Sequence, residues 1–146
     1  MIFGLLALTL AALFTGAAIY INAAEHPARL KLEDGPLLVE WKPAYKAGFM
    51  MQASLAAASA LCGVLAYFFD WRWNWDWKWI IGAAVILANW PYTLYLIMPT
   101  NAKLMAADPA TPGAEVRPLM VRWGWLHAGR SALGAVATLI FLAAPF

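Results

Sequence analysis

The chain has a single cysteine, Cys62, and few charges: ten Lys and Arg against eight Asp and Glu in 146 residues. One cysteine excludes an internal disulfide framework and any metal site built from several thiolates. Charged residues make up 12% of the sequence, against roughly 25% in a soluble domain. The net charge of +2 is spread thinly, with no basic stripe of the kind that tracks nucleic acid, so no nucleic-acid partner is expected. There is no glycine-rich phosphate loop and no Ser–His–Asp order in a water-accessible domain.

What is present is apolar. Hydrophobic residues reach 64% and mean hydropathy is +0.65. Crossing a bilayer takes about 20 apolar residues as helix, and four runs qualify, at about 2–24, 44–69, 79–99 and 119–144. The first lacks the basic leading region of a secretory signal and is long enough to be a retained span. Backbone in hydrocarbon must satisfy its own hydrogen bonds. The expected fold is therefore all-α: an integral membrane four-helix bundle, up-down-up-down, forming one domain over residues 1–146. The connections are expected at 25–46, 70–78 and 103–118. The first and third, with the adjoining start of the fourth run, carry Arg29, Lys31, Lys42, Lys46, Lys103, Arg117 and Arg122. The middle one carries only Arg72 and Lys78. The positive-inside rule then makes the first and third connections cytoplasmic and both termini non-cytoplasmic. A bacterial inner (plasma) membrane is the expected location, with the lipid bilayer as partner and a homo-oligomer or membrane subunit as further options.

The middle connection reads DWRWNWDWKW over 70–79. Tryptophan collects at membrane interfaces, where its ring sits among headgroups and its N–H finds an acceptor. Asp70 and Asp76 balance Arg72 and Lys78, which leaves no cationic groove. This strip is expected to be an anchor, remote from any chemistry. An internal echo also stands out: PLLVEW at 36–41 and PLMVRW at 118–123 both open an apolar helix. PAR at 27–29 and NAK at 101–103 answer each other more weakly. The pattern suggests a duplicated helical hairpin.

The unusual polar residues gather at the cytoplasmic ends of the four runs. They include Asn22, Glu25, His26 and Arg29 from the first, and Trp41 and Tyr45 from the second. Asn89, Trp90, Thr93 and Asn101 come from the third, and Trp123, His127 and Arg130 from the fourth. Trp123, His127 and Arg130 at i, i+4 and i+7 share one helix face, with Arg130 roughly 10 Å deeper than Trp123. A charge at that depth must face protein or water, and the default reading is functional. Glu25 is the expected counter-charge for Arg130. Several of these residues also have structural readings: Glu25 and Arg29 as an interfacial pair, Asn101 as a helix cap, Trp41 and Tyr45 as belt residues. His26 and His127, on different helices at one level, would also permit haem b or a single metal ion.

In order and spacing, the HPAR, W-x-x-x-Y-K, NWPYT, PTN and W-x-x-x-H-x-x-R segments make the chain resemble the anthrone-oxygenase-like family of small four-helix membrane proteins. The resemblance covers nearly the whole chain. It implies oxidation of an anthrone-type, polyketide-derived aromatic by molecular oxygen without metal or organic cofactor. His127 suits the base, with a reference pKa near ~6.5. Arg130, with Asn89 or Asn101, suits the developing oxyanion. Glu25 and His26 complete the candidate catalytic set. Trp41, Tyr45, Trp90 and Trp123, with Thr93 beside them, are the expected slot for a small hydrophobic aromatic molecule. The rival reading is a non-catalytic membrane subunit or scaffold in which the same side chains are paired and packed.

Overall fold

A computed structural model describes residues 2–69 and 76–144. Its four long helices are α1 Ile2–Arg29, α2 Asp34–Phe69, α3 Lys78–Ala106 and α4 Val116–Leu142. Each is long and apolar enough to cross a membrane, and no strand occurs among the described residues. They alternate in direction, with α1 packed against α2 and α4 and with α3 closing the ring between those two.

The helices run further than composition suggests. The expected connection at 25–46 shrinks to the four residues 30–33, because α1 continues to Arg29 and α2 already begins at Asp34. Asp34 suits the positive end of a helix and Pro36 suits its first turn. The 36 residues of α2 span ~54 Å at 1.5 Å each, beyond a hydrocarbon core of about 30 Å. Glu40, Lys42 and Lys46 thus sit on projecting helical turns rather than in a loop. Arg117 fastens the short connection to α4 by donating to the carbonyls of Leu30 (2.7 Å) and Leu32 (2.6 Å). It also pairs with Asp34 at 2.6 Å.

Two helices contain the same irregularity. In α1 the segment Ile21–Glu25, and in α3 the segment Thr93–Ile97, widen to a π turn. His26 N–H closes the first on the Ile21 carbonyl, and Met98 N–H closes the second on that of Thr93. Pro27 and Pro99 follow directly. A proline cannot donate to the ladder, and a wide turn just before it absorbs the missing bond. The echo between the odd helices therefore registers His26–Pro27 on Met98–Pro99, not residues 27–29 on 101–103.

Two apolar cores fill the bundle. One, near the chain termini, is built from small residues with a few rings, among them Ala11, Phe14, Ala60, Ala83, Trp79 and Phe141. Small side chains let helix backbones approach closely. The other core, beneath the 30–33 and 107–115 connections, is bulkier: Leu37, Leu38, Trp41, Ile97, Leu104 and Met120 contribute to it. Gln52, Asn89, Thr93, His127 and Arg130, all buried, lie in sequence between the stretches that supply the two cores. Trp71, Trp73 and Trp75 of the tryptophan strip lie outside the described residues. Trp77 is exposed, but Trp79 is buried with its ring 5.9 Å from Phe141, so this end of the strip is core and not anchor.

Candidate active site

His127 and Arg130 point inward, at 3% and 7% exposure. With Trp123 they line a cavity of about 30 Å³ enclosed with Tyr45, Gln52 and Asn101. The helical spacing i, i+4, i+7 thus delivers all three to one place. The volume suits a water-sized occupant and no more.

His127 has a determined hydrogen-bond partner. Asn22 Nδ2 donates to the Gly124 carbonyl at 2.9 Å, so its Oδ1 must be the acceptor on the other side. That oxygen takes Ser131 Oγ–H at 2.8 Å and meets His127 Nδ1 at 2.8 Å. An oxygen that only accepts requires the proton to sit on Nδ1. Nε2 is left as the lone-pair nitrogen, with no hydrogen-bond partner among the described residues, on a residue that lines the cavity. Gly124 makes room for a different imidazole: a Cβ there would stand 2.2 Å from His26 Nε2.

Arg130 differs from expectation. Glu25 does not reach it and instead pairs with Arg29, whose guanidinium also grips Glu40. Arg29 is buried, draws in both carboxylates and lies over the Trp123 ring at 5.9 Å. Its own helix supplies one partner four residues back, which satisfied Glu25 before Arg130 could compete. Arg130 lies over the face of Phe14, 5.6 Å from its guanidinium carbon, and among the described residues its Nε has no hydrogen-bond partner.

The Trp41, Tyr45 and Trp123 part of the expected aromatic slot is closed. Trp41 and Tyr45 stack on each other at 4.9 Å and 6°, and Trp123 meets Trp41 edge-on at 5.8 Å. Trp123 packs in turn against His26 at 5.3 Å and His127 at 4.9 Å. Rings that satisfy each other leave no gap for a flat guest. His26 lies in a different, outer groove with Leu30, Val121 and Trp125, so the two imidazoles share no cavity. A haem or single metal ion held by His26 and His127 together does not fit this arrangement. Among the described residues no group of three His, Cys, Asp or Glu stands close enough to hold a metal ion.

Asn89, Trp90 and Thr93 line a second cavity of about 500 Å³ between α2 and α3, which shares Phe49, Gln52 and Arg130 with the first. The expected single pocket is therefore two compartments with a common wall. The sequence places Asn22 among the unusual polar residues without a role, and does not single out Gln52 as a site residue. A lone amide inside an otherwise uncharged span was the available signal for Gln52.

A family model described as anthrone oxygenase matches residues 41–140, more than half of the chain. The chain belongs to the anthrone oxygenase family. An anthrone oxygenase of Aspergillus fumigatus is 34% identical over 110 residues, covering 73% of this chain and 68% of the relative. One of Aspergillus novofumigatus is 29% identical over 126 residues, covering 80% and 76%. A third, from a Cryptosporiopsis species, is 26% identical over 136 residues, covering 90% and 78%. No solved structure matches. These anthrone oxygenase relatives are fungal, which removes support for the bacterial inner membrane expected from the sequence. The matched region carries Trp41, Tyr45, Gln52, Asn89, Asn101, His127 and Arg130. Asn22, Glu25 and His26 precede it.

Proposed function

We propose that this anthrone oxygenase family member is a single four-span domain embedded in a membrane, with both termini non-cytoplasmic. It oxidises an anthrone-type aromatic with molecular oxygen, without metal or organic cofactor. The observation that carries the reading is His127, held by Asn22 with its Nε2 free beside the unpaired cation of Arg130.

An anthrone methylene is doubly benzylic and conjugated with a carbonyl. His127 Nε2 takes one of its protons through a water in the small cavity, which has room for that and not for the ring. The charge moves to the carbonyl oxygen, where Arg130 stabilises it in a water-poor site. The electron-rich enolate passes one electron to oxygen, and the resulting radical pair joins as a peroxide anion at the former methylene carbon. This takes the proton back from the His127 imidazolium to become a hydroperoxide. Loss of water from that hydroperoxide gives the new carbonyl. The balance is one anthrone and one O₂ to one anthraquinone and one water, so the substrate itself supplies the electrons. Arg29 also lines the His127 cavity, but its charge is already met by Glu25 and Glu40, so Arg130 is the cation left for the oxyanion.

The test is oxygen uptake and anthraquinone formation by purified protein in lipid nanodiscs after treatment with a chelator. The expected result is turnover that survives chelation, with one O₂ consumed per quinone formed. Activity lost on chelation and restored by a metal ion, or absence of turnover with every anthrone tried, would overturn the reading.

A further inference from the structure

The cavity between α2 and α3 is larger than the His127 cavity and is not used by the proton-transfer reading. Its volume of about 500 Å³ falls in the ~300–1,000 Å³ range of small-molecule sites. Its outer lining is Met50, Trp90 and Leu94, all exposed, near the middle of α2 and α3. The Trp90 indole donates to the Ala53 carbonyl at 3.4 Å, bridging the two helices there. The void exists because α2 presents Ala53, Ala56 and Ala57 to it, while α3 carries Pro91 and then leaves the α-helical ladder in the π turn Thr93–Ile97.

Its inner end is polar in a specific way. Gln52, Asn89 and Arg130 are 1%, 1% and 7% exposed, and each retains a buried polar atom without a partner. Asn89 Nδ2 is committed to the Ile86 carbonyl at 3.1 Å, so the atom left over is its acceptor, Oδ1. Arg130 Nε and Gln52 Nε2 are leftover donors. Buried polar groups are normally satisfied. Two unused donors and one unused acceptor thus sit on side chains that line the inner end of an apolar chamber. The atoms themselves are covered, and a small side-chain turn would present them to a ligand with an oxygen acceptor and a hydroxyl donor on one edge.

We propose that this lateral cavity is the docking chamber for the substrate's ring system, entered sideways from the hydrocarbon of the bilayer. The ligand is a flat, uncharged aromatic whose oxygen-bearing edge meets Gln52, Asn89 and Arg130. This rests on the function proposed above for its chemistry, but not for its location. Arg130 and Gln52 belong to both compartments, so an edge received there lies against the wall behind which His127 sits. An apolar polycycle concentrates in the membrane, and a mid-depth opening lets it reach Arg130 and the shared wall without crossing water.

The test uses an azido-anthraquinone, a flat probe that cannot be oxidised as an anthrone is, photolysed with the protein in nanodiscs and mapped by mass spectrometry. Labels are expected on the α2 and α3 segments around Met50 and Leu94. Ala53→Phe and Ala57→Phe, which fill the chamber by different routes, should each weaken probe binding about ten-fold or more. Leu139→Phe, on an exposed site of α4, should leave binding unchanged, and thermal melting of each variant reports its folding. Labelling confined to the outer groove near Trp125, absence of specific labelling, or unaltered binding in both folded alanine variants would overturn the proposal. If those results came with intact anthrone turnover, the chamber is wrong and the reaction stands. Labelling in the chamber without turnover of any anthrone leaves the chamber and removes the reaction.

Discussion

His127 meets Asn22 at 2.8 Å through Nδ1, and the same Asn22 oxygen takes the Ser131 hydroxyl at 2.8 Å. Asn22 is a positioning residue: it sets which nitrogen of the imidazole carries the proton. Asn22→Leu should lower kcat by about 10²-fold, the low end of what losing a general base costs, with KM little changed. Ser131→Ala should cost much less, because it removes a second donor to Asn22 and leaves the imidazole bond. Steady-state oxygen uptake separates these outcomes. A change confined to KM would make Asn22 a binding residue instead.

His26 and Gly124 interlock, since the imidazole occupies the space a Cβ at 124 would need. Gly124→Ala should destabilise the bundle by about 1–3 kcal/mol, the usual range for overpacking. In a His26→Ala background the same change should cost far less, because the clashing ring is gone. Thermal melting of the four proteins forms a double-mutant cycle. Equal costs in both backgrounds would place the strain elsewhere.

The bundle and part of its chemistry were legible in the sequence because they depend on local periodicity. Four apolar runs are sufficient for four helices, and W-x-x-x-H-x-x-R puts Trp123, His127 and Arg130 on one face whatever the neighbours do. What failed depends on contacts between helices. The Asn22–His127 bond needs the axial register of α1 on α4, which rests on the close approach at Gly124. Glu25 was assigned to Arg130 because both are charged near one level, but Arg29 lies on the same helix and claims it. The aromatic slot failed for a related reason: composition counts rings, whereas packing decides whether they face a void or each other. The early start of α2 was hidden because charges and prolines near a helix start read as loop.

Topology follows from the distribution of basic residues about the helix ends. Seven Lys and Arg lie around the 30–33 and 107–115 connections, or on the helix turns beside them, against Arg72 and Lys78 in the sequence that follows α2. A reporter fused within the second of these connections, at Thr111, should be cytoplasmic, and one at the C-terminus should lie on the opposite face. Reversed signals from the pair would require the site to open toward the other side.

Arg130 is buried without a carboxylate or hydrogen-bond partner for Nε, resting on the Phe14 ring. A cation removed from water and left uncompensated is costly, and a well-packed apolar residue of similar length avoids that cost. Arg130→Met should therefore stabilise the folded protein by about 1–4 kcal/mol, the range seen when buried ionic groups are replaced by apolar ones. For a chain of this size that is a rise in Tm of several degrees, at about 2–4 °C per kcal/mol. The same variant should lose most of its turnover, because nothing then meets the oxyanion. Arg130→Lys keeps the charge but not the planar fork, so it should recover little activity and none of the stability. Opposed movement of Tm and kcat is the signature of a residue kept for chemistry at the expense of stability. A fall in both for Arg130→Met would mean that the guanidinium is structural, and the base at His127 would need another partner for the oxyanion.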